Sequence, residues 1–464
     1  MKRGQQKFLQ QLKFSRILGL IFALVLCIKL LSACTDRSVV TLSFVVPQRE
    51  AKYWTPLIDQ FNSNNTNIKI EIGNSSKNSL KNPNLTDDVK KIYISDFQSE
   101  SPSYDLIYMD IIWIPEFAEK EWVMDLTQEF LKEEEDLSGF LPSEVEYGMY
   151  GGKLYRIPFR ADVGVLFYRE DLLKELGEDP PETFKDLLAI SQKVIQQKGI
   201  RYGYLWQSKP DEGLAAMFVE VLYGHGGFWI NEQKEVGLNR LEAIQAVEFL
   251  RDTLKIRGTL KNPISPEDYM NYEEEVTRSQ FREGKAVFMR NWSNVWLNVN
   301  NSSPPVLGNI AVKPVASVTG KTIVTGRGGW GFGIAKNTKH KEEALQVIKF
   351  LTSPASQQNF TLAYASVPSL KRLFYEPKIV AKYSHYPLLR KIIEKSSVKY
   401  VRPRIPQYAQ ASCILQTYLS EALDVNNNGY KEAMNRATKE TQDLLLKPKI
   451  SNDSQPFECK IHND

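Results

Sequence analysis

Two aspartates are the residues of this chain best placed for chemistry on a polyhydroxylated molecule. Asp110 closes the apolar run Tyr104-Asp-Leu-Ile-Tyr-Met109, and Asp162 lies between the strand-like segments Lys153–Phe159 and Gly164–Tyr168. A carboxylate accepts hydrogen bonds from neighbouring hydroxyls through both oxygens. Trp206, Trp229, Trp292, Trp296 and Trp330 supply flat apolar faces, several of them beside carboxylates or arginines. Such rings pack against the C–H faces of a sugar while charged planar groups meet its hydroxyls. That combination can hold a carbohydrate or hydrolyse one. Hydrolysis needs an acid and a partner carboxylate about 5 to 9.5 Å apart, a spacing the sequence does not set for Asp110 and Asp162. For any single tryptophan, burial in a core is the ordinary role.

The stretch Thr325-Gly-Arg-Gly-Gly-Trp-Gly-Phe-Gly-Ile334 surrounds Trp330 with glycines that permit positive φ and close backbone approach to a ligand. Gly326, Gly328 and Gly331 also satisfy G-x-G-x-x-G. A dinucleotide site requires a helix to open there. The chain instead continues as the strand-like Phe332-Gly-Ile-Ala335, and helical pattern resumes near Lys341, which argues against a nucleotide. His225, His340, His385 and His462 are scattered, with no zinc spacing or nucleophile signature. Neither a metal nor a cofactor is expected. Asp424-Val-Asn-Asn-Asn-Gly429 begins like a calcium loop, but the closing bidentate position falls on Asn435, so an interhelix turn is expected.

At 464 residues and 42% hydrophobic content the chain suits two or three domains. Its formal charge of +4 comes from six basic residues in the first 33; the remainder holds 53 basic and 55 acidic residues. A near-neutral chain offers no general attraction to nucleic acid. Residues 1–33 read as a targeting segment: a basic start, then the apolar run Ile17–Ile28. Leu31-Ser-Ala-Cys34 resembles the lipobox of bacterial lipoproteins, which makes Cys34 the expected lipidation site. An uncleaved anchor helix is the alternative, and both place the rest of the chain outside the cytoplasmic membrane. Cys413 and Cys459 are then free to pair in an oxidising compartment.

These residues must be positioned by a regular scaffold. Val40–Val46, Ile68–Ile72 and Tyr104–Met109 read as strands, with helical pattern between them and Trp54, Leu57, Ile58 and Phe61 on one helix face. The alternation predicts a parallel sheet with helices on both faces and ligands beyond the C-terminal strand ends, where Asp110 lies. Lys153–Phe159 and Gly164–Tyr168 predict two strands leading to a second lobe, with Arg160-Ala-Asp162 between them. An amphipathic helix pair is expected over 407–446.

The string Tyr104-Asp-Leu-Ile-Tyr-Met-Asp-Ile-Ile-Trp-Ile-Pro-Glu-Phe-Ala118 resembles the family 1 extracellular solute-binding proteins of ABC importers, of the trehalose and maltose type. So do Ile157–Arg169, Phe288-Met-Arg-Asn-Trp292, Gly328-Gly-Trp330 and Val401-Arg-Pro-Arg404, in family order from about Thr41 to Leu446. The resemblance implies an α/β periplasmic-binding-protein fold, two α/β lobes with a ligand cleft and hinge between them. The expected division is 34–152 with 309–370, and 153–308 with 371–464. It also implies a monomeric, non-enzymatic receptor, anchored by lipid, that delivers a small sugar or glycoside (trehalose, maltose, sucrose or glucosylglycerol) to a membrane permease. By motif position Asp110 and Asp162 would accept from hydroxyls, Trp292 and Trp330 would stack, Gly329 would bring backbone close, and Arg402 would donate. Glu50, Trp206 and Glu212 lie in matching regions. The chain departs from the family at Val89, where an arginine is common, and at Arg160, where an aromatic is common; Arg160 is therefore counted with the site. The rival readings are a secreted glycoside hydrolase and a surface adhesion or scaffold protein.

Overall fold

A computed structural model of the chain describes residues 39–73, 86–130, 135–255, 262–296, 306–396, 402–447 and 459. The leader, the lipobox Cys34 and the polar stretch 74–84 lie outside the described residues. Among those described, no helix is long and apolar enough to cross a membrane.

The chain opens with β1 (Val40–Phe44), α1 (Ala51–Asn64) and β2 (Ile68–Ile72), followed by α2 (Thr86–Phe97) and β3 (Leu106–Asp110). The apolar face expected for α1 is buried through Trp54, Leu57, Ile58 and Phe61. β1 and β2 pair in parallel, Val40 opposite Ile68 and Phe44 opposite Ile72. The third strand departs from the expected all-parallel order. β3 is hydrogen-bonded to the glycine-rich strand in antiparallel fashion, and the Tyr93 side chain ties it to the end of β1. The buried Tyr93 hydroxyl accepts from the Val45 amide at 2.8 Å and the Tyr108 amide at 3.1 Å, and donates to the Val45 carbonyl at 3.1 Å. A side chain thus satisfies backbone groups that a β1–β3 ladder would otherwise pair.

A second departure matters more for the site. Arg160 and Asp162 were expected between two strands, yet Ile157–Arg169 is one 13-residue strand, β4. The two charges interrupt the apolar pattern without interrupting the strand, because they pair with each other inside the protein. Beyond β4 come α3 (Glu212–Gly224), β5 (Ala286–Trp292), β6 (Arg327–Ile334), α4 (Tyr408–Leu423) and α5 (Tyr430–Leu446). The first half of β4 pairs with β6, and the second half with β5 and with the short strand Ile310–Lys313. β4 borders two apolar cores. It gives Phe159, Ala161, Val163, Val165 and Phe167 to a cluster that includes Trp54, Tyr108 and Phe332. It gives Leu166 to a second cluster with Trp206, Leu214, Leu250 and Leu415. Phe374, Tyr383 and Leu389, from the segment 371–395, pack in the first cluster.

Cys413 of α4 and Cys459 form a disulfide with their Cα atoms 5.5 Å apart. Between α4 and α5, the calcium-like turn is filled by an arginine. Arg251 donates to the carbonyls of Ala422, Asp424, Val425 and Asn427 at 2.5 to 3.3 Å. Its guanidinium thereby satisfies carbonyls at the helix C-terminus and places a cation at the negative end of the helix dipole.

His385 is buried, with both ring nitrogens unpartnered, and lies against Trp296 at 4.0 Å between ring centroids. Burial lowers its pKa from 6.5 to about 3. The unfolded chain therefore takes up a proton below about pH 6.5 that the folded chain refuses, so the stability present above that pH is lost as pH falls. The loss is ~1.4 kcal/mol per pH unit, or about 2 kcal/mol between pH 6.5 and 5. Denaturant unfolding of the parent and of His385→Phe at the two pH values checks this; equal pH dependence in both chains contradicts it.

Candidate functional site

Cross-strand pairing gathers the sequence-nominated residues on one face of the central sheet. Asp110 of β3 stands opposite Trp330 of β6, and Trp330 opposite Arg160 of β4. The next positions along are Gly328 opposite Asp162, and then Gly164 opposite Trp292. Directly opposed residues project to the same face, so residues far apart in sequence, such as Asp110 and Trp330, become neighbours.

Arg160 is the hub of one half of the group. Its Nε donates to the Tyr108 hydroxyl at 3.0 Å, Nη1 to Asp162 Oδ1 at 2.6 Å and also to Oδ2, and Nη2 to Glu50 Oε1 at 2.9 Å. One cation thus serves two carboxylates. Burial pushes Asp162 up, to about 7, against the pull of Arg160 and with help from the charges of Glu50 and Asp110. Glu50 is brought here by the short helical turn Gln48–Glu50 that leads into α1.

Arg402 is the hub of the other half. It donates to Glu212 Oε1 at 2.9 Å and to the Arg327 carbonyl at 2.7 Å, and its Nη2 lies 3.8 Å from Asp110 Oδ1. Glu212, in the first turn of α3, also accepts from the hydroxyls of Tyr408 and Ser412. Asp110 accepts from the Ile112 amide at 3.1 Å, and burial raises its pKa against the attraction of Arg402.

Gly329 has φ 148°, and a Cβ there would stand 2.8 Å from the Arg160 carbonyl and 3.0 Å from Glu144 Oε2. The close approach expected of this glycine is therefore made to the protein's own groups. Glu144, which the sequence reading passed over, is fully buried and pairs with Arg327 and with Arg156 at 3.5 Å.

The tryptophans separate by environment. Trp330 is 3% exposed, with Tyr108 at 4.8 Å, Trp113 at 5.2 Å and the Arg160 guanidinium at 5.6 Å from its ring. Trp292 is only half-buried; the Arg290 guanidinium lies 4.4 Å from its ring, and its indole N–H donates to Glu274. Trp206 is not brought to this group. It packs in the second core, and its indole N–H is shared between Thr253 Oγ at 3.2 Å and Ser265 Oγ at 3.1 Å. Val89 is buried in the first core.

Behind Trp292 lies a buried pair that the sequence reading also missed. Arg290 donates from Nε to Glu220 Oε2 at 2.8 Å, from Nη2 to Oε1 at 2.5 Å, and to Gln207 at 2.9 Å. Glu220 in turn accepts from the Gly326 amide at 2.8 Å. Its carboxylate occupies space left by Gly164 and Gly326, where a Cβ would come within 1.9 and 2.2 Å of Oε1.

Residues 47–358 match the bacterial extracellular solute-binding protein family. The chain belongs to that family. Among its relatives is a probable ABC transporter-binding protein of Deinococcus radiodurans, 26% identical over 376 residues, which cover 79% of this chain and 83% of that one. The galactooligosaccharide-binding protein of Bacillus subtilis is 24% identical over 336 residues, covering 67% and 70%. Among solved structures, maltose-bound T. maritima MalE3 superposes with TM-score 0.78 at 29% identity, over 88% of this chain and 100% of that one. The two α/β lobes expected from the sequence are those of this extracellular solute-binding fold.

Proposed function

We propose that this solute-binding protein is the lipid-anchored receptor of an ABC importer, that it works as a monomer, and that it captures a disaccharide or related glycoside and hands it to a membrane permease. The observation that carries the reading is the single sheet face holding Asp110, Trp330, Arg160, Asp162 and Trp292, built around a strand that gives side chains to both cores. The relatives named for galactooligosaccharide and maltose support a sugar, and binding rather than hydrolysis. The charge of the site supports a neutral ligand, since among the described residues the cations within hydrogen-bonding or ion-pairing distance of Glu50, Asp110, Asp162 and Glu212 are Arg160 and Arg402. An anionic solute would meet repulsion here.

Capture proceeds by closure of the two lobes. The first comprises 34–152 and 309–370, joined by 371–395 on the strength of its packing; the second comprises 153–308 and 396–464. The Gly164 amide of the second donates to the Gly326 carbonyl of the first at 2.9 Å. Groups from both lobes meet the sugar, which therefore favours the closed state by its differential affinity. A thermal-shift screen of the purified chain tests the reading. A ligand at about 100 times its dissociation constant adds ~2.7 kcal/mol, so trehalose, maltose, sucrose or glucosylglycerol should raise the melting temperature where amino acids and polyamines do not. A shift with a polyamine and none with any sugar would overturn the substrate class.

A further inference from the structure

Each arginine hub meets two carboxylates and one further oxygen, but the two differ in whether Nε is engaged, and the difference gives them different roles. All three nitrogens of Arg160 are bonded inside the protein, to Tyr108, Asp162 and Glu50, and the residue is 2% exposed. Arg402 also holds carboxylates, but its Nε is buried with no partner among the described residues. A buried guanidinium with a donor to spare is suited to meet a ligand oxygen; one whose nitrogens are all engaged is suited to be a wall.

We propose that Arg160 closes one end of the binding cleft and so limits how many sugar rings it admits. The proposal rests on the sugar reading above. The guanidinium carbon lies 5.6 Å from the Trp330 ring and 5.9 Å from the Tyr364 ring, so it fills the space between the two aromatics. Behind it, Glu50 and Tyr108 are both fully buried. A sugar unit extending in this direction would have to displace Arg160 from two carboxylates and a phenol, leaving charged groups buried without partners. Asp162 retains slight exposure, 11% of its side chain, and the half-buried Trp292 lies on its other side, so the usable surface runs from Asp162 toward Trp292 and Arg402. Arg160 is thus a length-setting residue, which accounts for each of its nitrogens being tied to the protein.

Calorimetric titration with a length series tests this. The short probes are glucosylglycerol, trehalose and maltose; the long ones are maltotriose and maltotetraose. The parent chain is expected to bind its tightest short probe at least about 100-fold more tightly than either long one. In Glu50→Gln/Arg160→Ala, which removes the wall without stranding the Glu50 charge, the gap should shrink to less than about tenfold by gain of affinity for the long probes. Arg160→Lys, which keeps the charge on a thinner side chain, should give an intermediate gap, and melting curves establish that each variant is folded. A parent chain that binds maltotriose as tightly as any short probe overturns the proposal, and so does an unchanged gap in both folded variants. Failure of every sugar to bind the parent chain would instead overturn the sugar reading itself.

Discussion

Replacing Trp292 by alanine is expected to weaken sugar binding by about 100-fold, ~2.7 kcal/mol, with little loss of fold stability. The indole is held in place by Arg290 beside its ring and by Glu274 at its N–H, and its Cζ3 edge would lie 3.7 Å from a Cβ at Gly328. It therefore stands beside Asp162 as a fixed plate that loses little freedom when a sugar packs on it. Because the ring is only half-buried, its removal leaves no closed cavity, and the unliganded melting temperature should fall by only a few degrees. Trp330 is the contrasting case. At 3% exposed, its replacement by alanine should cost ~3–5 kcal/mol of stability, which makes it an unsuitable probe of binding. Calorimetry on folded Trp292→Ala checks the claim; affinity within about threefold of the parent would contradict it.

A second large effect, this one on stability, is expected at Arg290. Substitution by methionine leaves the Glu220 carboxylate fully buried with the Gly326 amide as its remaining donor. Breaking a buried pair from one side typically costs ~3–5 kcal/mol, because the surviving charge is uncompensated. The double variant Glu220→Gln/Arg290→Met removes both charges and should recover a large part of that loss. Urea unfolding of the two single variants and the double variant closes the cycle. A single-variant cost below about 1 kcal/mol, or a double variant as damaged as the sum of the singles, would contradict the pairing. Arg290 also flanks Trp292, and Glu220 fixes Gly326 beside Gly164, so both singles should also weaken the sugar.

Much of this was legible in the residues, and the failures have physical causes. The early strands and the buried face of α1 follow from short-range periodicity, which local sequence carries well. The face holding Asp110, Asp162, Trp292 and Trp330 was legible as a set of motifs, but not as a row, since register between distant strands is set by tertiary packing. Arg160 and Asp162 concealed the continuity of β4 because two charges in an apolar run resemble a loop until their partners are known. Trp206 was nominated by type and region, while its indole N–H had polar partners, Thr253 and Ser265, that no local pattern reveals. Glu220 and Arg290 did leave a signal. Each is the one charged residue in a largely apolar segment, Leu214–Leu222 and Ala286–Trp292, and a lone charge in each of two buried elements points to a mutual pair.

The central claim, that this chain holds a small neutral sugar and releases it unchanged, is tested most directly by titration calorimetry with trehalose, maltose, sucrose and glucosylglycerol, followed by chromatography of the recovered ligand. The account predicts saturable binding of at least one of them at one site per chain, with that sugar recovered intact. Release of cleaved product would return the carboxylates to hydrolysis, and the absence of saturable binding by every glycoside would contradict the account.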